Sequence, residues 1–335
     1  MSDAIETAKR YIIDKNYKKA LKLARKRHGK DDVKDYLEIL NLLIDDNYLP
    51  AIEEKGLYYQ FYDESHDDGD YGEKYFSQYL EMQPHSINVL CDMALSKSNK
   101  GEFEKSLEYM GEALNNYDSY CNIEEPRISK KEVLMSKIKL SIKAKRYSEA
   151  LTCLDQYEDE YGGDDESDLY KGQMLQKTGK NKQALEYLNK SLQNEDTLIG
   201  FNAKGDALFE LGDYKGALKS YKNCIDYESK VEDDLELITN FNYKAAFCCV
   251  NMGNDEEAVK YLNKTINMLN EHGRLPNDIE SIYQKCSFEK ERIIKEGEVK
   301  DVEFRKTRFF SARTSIIVFV IILILYIILR YLGYH

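Results

Sequence analysis

Between residues 197 and 227 the apolar positions follow a helical rhythm. Phe201, Leu208, Phe209, Leu218, Tyr221 and Ile225 recur at helical spacing with polar residues between them. Gly205, Gly212, Ala217 and Cys224 are small where two helices would cross. Gly212-Asp213 falls at the predicted turn, because glycine reaches a positive φ without a Cβ clash. The stretch therefore predicts one helix–turn–helix unit. A two-helix unit of about 30 residues cannot bury its apolar face alone, so neighbours of the same kind are expected.

Seven segments share the turn and the start of the second helix. They are NYKKAL (16–21), GDYGEKYF (69–76), GEFEKSL (101–107), KRYSEAL (145–151), GKNKQAL (179–185), GDYKGAL (212–218) and GNDEEAV (253–259). Aligned on Leu218, the equivalent residues are Leu21, Leu107, Leu151, Leu185 and Val259. Leu151 to Leu185 spans 34 residues and Leu185 to Leu218 spans 33, whereas Leu107 to Leu151 spans 44 and Leu218 to Val259 spans 41. The extra residues fall in polar connections at 119–129 and 228–234. The 69–76 segment fits least well; its best register puts Gly72 at the small position and Pro84 beyond the second helix.

This pattern resembles the tetratricopeptide repeat, with its 34-residue period, small residues at helix crossings and an aromatic after the turn glycine. Gly172, Gly179, Ala184, Gly205, Gly212, Tyr214, Ala217, Tyr221, Gly253 and Ala258 carry the resemblance. It is clear over 161–275 and divergent over 1–160, where no Trp opens a unit and Pro84 is the only closing proline. The resemblance implies an all-α, right-handed α-solenoid whose first helices line a groove. On that groove it places Tyr170, Gln173 and Lys177, then Asn202, Asp206 and Phe209, then Tyr243, Lys244, Phe247 and Asn251. An aromatic–amide mix suits an extended or helical peptide segment of a protein partner. The basic–amide clamp by which some members hold a chaperone's terminal carboxylate is disfavoured. Its positions here are Leu169, Gln173, Ala203, Asn240 and Lys244, and only Lys244 is charged.

Residues 276–296 predict a terminal capping helix, opened by a capping box of Asn277 and Glu280. Ile279, Tyr283, Cys286 and Ile293 form its inward stripe, and Glu289, Lys290, Glu291 and Arg292 are expected in water. A basic linker, 297–313, then leads to fourteen consecutive apolar residues, 316–329. The predicted transmembrane helix, 314–332, has nineteen residues, about 28 Å at ~1.5 Å each and just enough to span the lipid bilayer. Arg305, Lys306, Arg308 and Arg313 precede it and Arg330 follows. The positive-inside rule then expects a single-pass C-terminal anchor with the repeat domain cytoplasmic.

Composition sharpens this picture. Residues 304–335 hold five of the 48 basic and none of the 60 acidic side chains, leaving 43 basic against 60 acidic in the first 303. So acidic an array argues against nucleic acid as partner. The seven cysteines show no CxxC spacing and read as small apolar residues, with Cys248-Cys249 the one pair that invites a redox or metal reading. The five histidines are scattered, and a calcium loop around His66–Asp70 would lack its bidentate acid. No catalytic, cofactor or metal site is expected. The sequence reads as a non-enzymatic, membrane-tethered interaction scaffold; an assembly subunit of a membrane complex or translocation machinery is the alternative.

Overall fold

The computed structural model describes residues 2–29, 32–62, 70–121, 123, 125–231, 235–271 and 277–296. Among them are sixteen α-helices and no strand. The chain divides into two compact units, Met1–Leu211 and Gly212–His335. The first holds α1 (Asp3–Ile13), α2 (Tyr17–His28), α3 (Val33–Asp45), α4 (Leu49–Phe61), α5 (Asp70–Met82) and α6 (Ile87–Asn99). It continues with α7 (Phe103–Tyr120), α8 (Lys130–Lys143), α9 (Tyr147–Tyr161), α10 (Asp165–Lys177), α11 (Asn181–Ser191) and α12 (Leu198–Glu210). The second holds α13 (Tyr214–Val231), α14 (Leu235–Asn251), α15 (Asp255–Glu271) and α16 (Asn277–Glu296).

One turn design recurs along the chain. Lys15, Asn47, Gly101, Lys145, Gly179, Gly212 and Gly253 each sit between two helices with φ between +57° and +82°. At the turns centred on residues 15, 47, 101, 145, 179 and 253, the next N–H reaches back to the carbonyl five residues earlier, at 2.7–2.9 Å. Lys180 N–H to Leu175 O is one such bond. This Schellman closure satisfies carbonyls that a helix end leaves orphaned. First helices in the first unit begin differently, each with a side-chain cap: Ser2, Asp32, Ser86, Ser129, Asp164 and Thr197 accept a main-chain N–H three residues on. The helices that follow the tight turns there have no such cap. In the second unit Asp213 and Asn254 do accept such a bond, from Gly216 and Glu257 N–H, so the tight turn allows a cap without requiring one.

Counting from the turn centre locates the core. Seven residues before it stand Ala8, Leu40, Ala94, Ile138, Gly172, Gly205 and Ala246; five after stand Ala20, Ile52, Ser106, Ala150, Ala184, Ala217 and Ala258. All are buried. Within each unit the helices meet closely at these sites. A Cβ on Gly172 would lie 2.6 Å from Leu188 Cγ, and Ser106 Oγ donates to Ala94 O at 2.6 Å. The leucine register of the sequence falls one residue later, where Leu21, Leu107 and Leu218 are buried and Leu151, Leu185 and Val259 half-buried.

Two expectations need correction. The 69–76 segment does open a helix, α5, but the tight turn of that region is Asp46–Tyr48. Its centre is Asn47, which hides it from a search for glycine. Helix α5 is an addition packed on α4. Nine residues after the turn centre, where α9 and α11 carry Leu154 and Leu188, α4 has Gly56, and Phe76 of α5 fills the space. A Cβ on Gly56 would lie 2.5 Å from that ring. Second, Glu289 is buried rather than wet, and Arg292, one turn on along α16, pairs with it. The connection between α7 and α8 lies where the sequence placed it and needs no correction, but it adds bonds to Asn88 of α6 that spacing did not suggest.

Among the described residues no helix is long and apolar enough to cross a membrane. The expected span 314–332, its flanking Arg305, Lys306, Arg308, Arg313 and Arg330, the 297–313 linker and most of the His66–Asp70 loop lie outside the described residues. So do the side chains of Asn277, Ile279, Glu280 and Tyr283.

Candidate functional site

The repeated turn also defines a second stripe on the first helices, which runs from the exposed Leu95 and Lys139 to the buried Asp92 and Ala203. Nine and six residues before the turn centre stand Asp92 and Leu95, Ser136 and Lys139, Tyr170 and Gln173, Ala203 and Asp206, and Lys244 and Phe247. The core positions described above are apolar or small in every pair, whereas this stripe changes chemistry from one helix to the next.

On α10, Tyr170 and Gln173 are half-buried. Lys139 of α8 pairs with Glu166 at 2.7 Å and its Nζ stands 5.9 Å from the Tyr170 ring centre. Burial, and secondarily Glu166, hold the Tyr170 hydroxyl above its usual range despite that lysine. Asn202, Asp206 and Phe209 are half-buried on α12, which packs against α10. Lys177, at the end of α10, is exposed.

In the second unit, Tyr243, Phe247 and Asn251 come together. The two rings meet edge to face at 4.7 Å, and Asn251 Nδ2 donates to Phe247 O at 2.8 Å. Burial pushes the Tyr243 hydroxyl well above its usual range, with Glu289 and Cys286 of α16 adding to the shift. The end helix α16, which packs on α14, therefore lies near Tyr243. Lys244 turns away from it, with Nζ 5.3 Å from the Tyr221 ring of α13. Sequence spacing placed Lys244 on a helix face but could not show which neighbour its long side chain would choose.

The sequence reading passed over the same stripe on α6. There Asn88 and Asp92 are nearly buried, and both engage the 125–127 segment. The signal was available: Asp92 and Leu95 precede Gly101 by the same intervals that separate Tyr170 and Gln173 from Gly179. An open depression of about 400 Å³ lies between α7 and α9, lined by Glu104, Glu108, Glu112 and Glu149 with Arg146 among them. Arg146 bonds both Glu104 and Glu149.

Thiol chemistry has little purchase. Cys153, Cys224, Cys248, Cys249 and Cys286 are buried. Burial pushes the Cys249 thiol up to about 11 and that of Cys286 to about 12, so neither is a thiolate near neutrality. Among the described residues no three His, Cys, Asp or Glu side chains converge as metal ligands.

Residues 200–230 match the tetratricopeptide repeat family. No curated protein matches the chain. Among solved structures, a tetratricopeptide repeat protein from Parabacteroides merdae ATCC 43184 aligns with 82% of this chain and 99% of its own, at 14% identity and a TM-score of 0.52. MamA is 14% identical over 58% of this chain and 98% of its own, with a TM-score of 0.47. YrrB, described as a tetratricopeptide protein with an unusual peptide-binding site, is 19% identical over 59% of this chain and 93% of its own, with a TM-score of 0.44. The chain thus carries a tetratricopeptide repeat at 200–230 within an all-α, tetratricopeptide-like helical-repeat fold.

Proposed function

We propose that this protein is a non-catalytic interaction scaffold whose first-helix stripe engages a protein partner, and that residues 314–332 tether it to a membrane. The observation that carries the reading is the contrast between the two sets of positions. Core positions stay apolar or small from pair to pair, while the stripe runs through carboxylate, aliphatic, ammonium, aromatic and amide groups. A surface selected only for packing or solubility has no need of that variety; recognition of an extended chain does.

Tyr170, Gln173 and Asp206 of the stripe, with Asn202 and Phe209 beside it on α12, form the surface best suited to a ligand in the first unit. In the second unit Tyr243, with Phe247 and Asn251 beside it, serves more as a seat for α16 than as an open surface. The tether rests on the fourteen-residue apolar run at 316–329 and the basic residues around it. The proposed location is a single-pass anchor with the array on the cytoplasmic side. Confining the scaffold to a bilayer raises the effective concentration of any partner held there.

The test is a crosslinking pull-down from native membranes, comparing the full chain with a chain ended at residue 303. Recovery of one partner by both, weakened by Tyr170→Ala with Gln173→Ala, supports recognition by the stripe with the tail as locator. Partners recovered only with the tail, and indifferent to those substitutions, would refute it. Loss of the longer chain's pelleting with membranes after carbonate washing would refute the tether alone.

A further inference from the structure

A stretch of the chain itself already occupies the stripe of α6. We infer that Asn88, Asp92 and Glu53 form a binding site for an arginine-bearing peptide segment, and that the 125–128 segment is its resident ligand. The inference deepens the proposed function and rests on it, by naming the ligand class of one part of the same face. The site lies wholly within the first unit.

Asn88 holds the segment by its main chain. Its Nδ2 donates to Glu125 O at 3.3 Å, and Arg127 N–H donates to its Oδ1 at 2.8 Å. The two bonds flank Pro126, which has no N–H to leave unsatisfied. One amide satisfying a carbonyl and an N–H two residues apart recognises main chain irrespective of side chain. The side chain of Arg127 supplies the selectivity. Its Nη2 lies 2.5 Å from Asp92, 3.1 Å from Glu53 and 3.3 Å from Asn88 O.

Exposure shows which partner is the receptor. The side chains of Asp92 and Glu53 are 12% and 17% exposed, fixed on α6 and α4, whereas that of Arg127 is 44% exposed. Two nearly buried carboxylates at one spot favour a cation between them. A bare connection between α7 and α8 would need none of this; the α9-to-α10 connection manages with residues 162–164. The segment has one further anchor, the Tyr117 hydroxyl donating to Ile128 O at 2.7 Å. Ile123 beside it stands exposed, as does Leu95 one turn along α6 from Asp92. An external peptide with the same backbone and arginine chemistry would compete for Asn88, Asp92 and Glu53, and could add a contact to Leu95.

The test uses the full chain and a fluorescent peptide of sequence IEEPRIS, with IEEPAIS as control, followed by anisotropy. An internal ligand competes at high effective concentration, so opening the segment with Pro126→Gly and Arg127→Ala should tighten IEEPRIS binding by about tenfold or more. IEEPAIS should gain nothing, and Asp92→Asn added to the opened variant should abolish the gain. An opened variant that is folded by circular dichroism but binds IEEPRIS no better than the unmodified chain overturns the inference. If that variant does not fold, hydrogen exchange on the unmodified chain decides. Millimolar IEEPRIS should speed exchange of the Arg127 N–H while leaving α6 protected, and no change there overturns the site. Failure of either arm leaves the Tyr170 and Gln173 pull-down result standing, so the two readings fall separately.

Discussion

Gly179→Ala isolates the energy of the recurring turn. Gly179 has φ of +81°, and a Cβ built there meets nothing within 4 Å. Packing therefore contributes nothing to the change, and only the backbone matters. The left-handed conformation costs an L-residue about 1–2 kcal/mol. Against that, alanine loses less freedom on folding than glycine, returning about 0.4–1 kcal/mol through the unfolded state. The net expectation is destabilisation by about 1 kcal/mol. The reverse experiment uses Lys145, at φ +59° in the equivalent turn, where Lys145→Gly should stabilise by about 0.5–1 kcal/mol. Urea unfolding of the full chain, followed by far-UV circular dichroism, reads both as midpoint shifts at constant slope. Shifts of the same sign for the two variants would refute the shared turn geometry.

The remaining predictions probe the core, the acid range and the thiols. Gly172→Ala should destabilise by about 2 kcal/mol, because Leu188 is fully buried and cannot yield, even though helix propensity alone favours alanine; a more stable variant would contradict the close crossing. Gly56→Ala should likewise lower the unfolding midpoint by displacing Phe76, and a companion Phe76→Leu should restore part of the loss. Burial of Asp164 works against its charge, but bonds from Tyr157, Ser167 and Lys131 outweigh it and bring the carboxyl down to about 2. Its folded value lies below its unfolded one, so its stabilisation is present above about pH 4 and is lost as pH falls toward 2. Solvent screening of this part-exposed group limits that to about 1 kcal/mol, which Asp164→Asn should remove at neutral pH and not at pH 2. Thiol titration of the native chain should find only Cys91 and Cys121 reactive, since the other five are buried; rapid reaction of Cys248 or Cys249 would contradict their placement.

Local signals made the repeat architecture legible, and non-local ones concealed the rest. Glycines at 101, 179, 212 and 253 announced their turns because positive φ selects for glycine. Lys15 and Lys145 were found through the helix starts that follow them, but Asn47 was missed because asparagine tolerates the same conformation without standing out. The addition of α5 depends on Phe76 filling the space over Gly56, a fit between two helices that periodicity does not encode. Asn88 and Arg127 are 39 residues apart, so the bound segment is invisible to any local window. On the stripe, spacing placed Tyr170 and Gln173 correctly on a helix face. It could not foresee that Lys244 would lie over Tyr221, or that α16 would settle against Tyr243, because both follow from how neighbours pack. Burial of Glu289 has the same origin, since Arg292 offers the partner that a buried carboxylate requires.

The central claim is that recognition resides on the first-helix stripe. A photo-crosslinking amino acid placed singly at Lys139, Gln173 or Asp206, and at Glu108, Lys182 or Lys260 on second helices, tests it in native membranes. The account predicts discrete crosslinked products from the first set and none from the second. Products from the second-helix positions alone would contradict it.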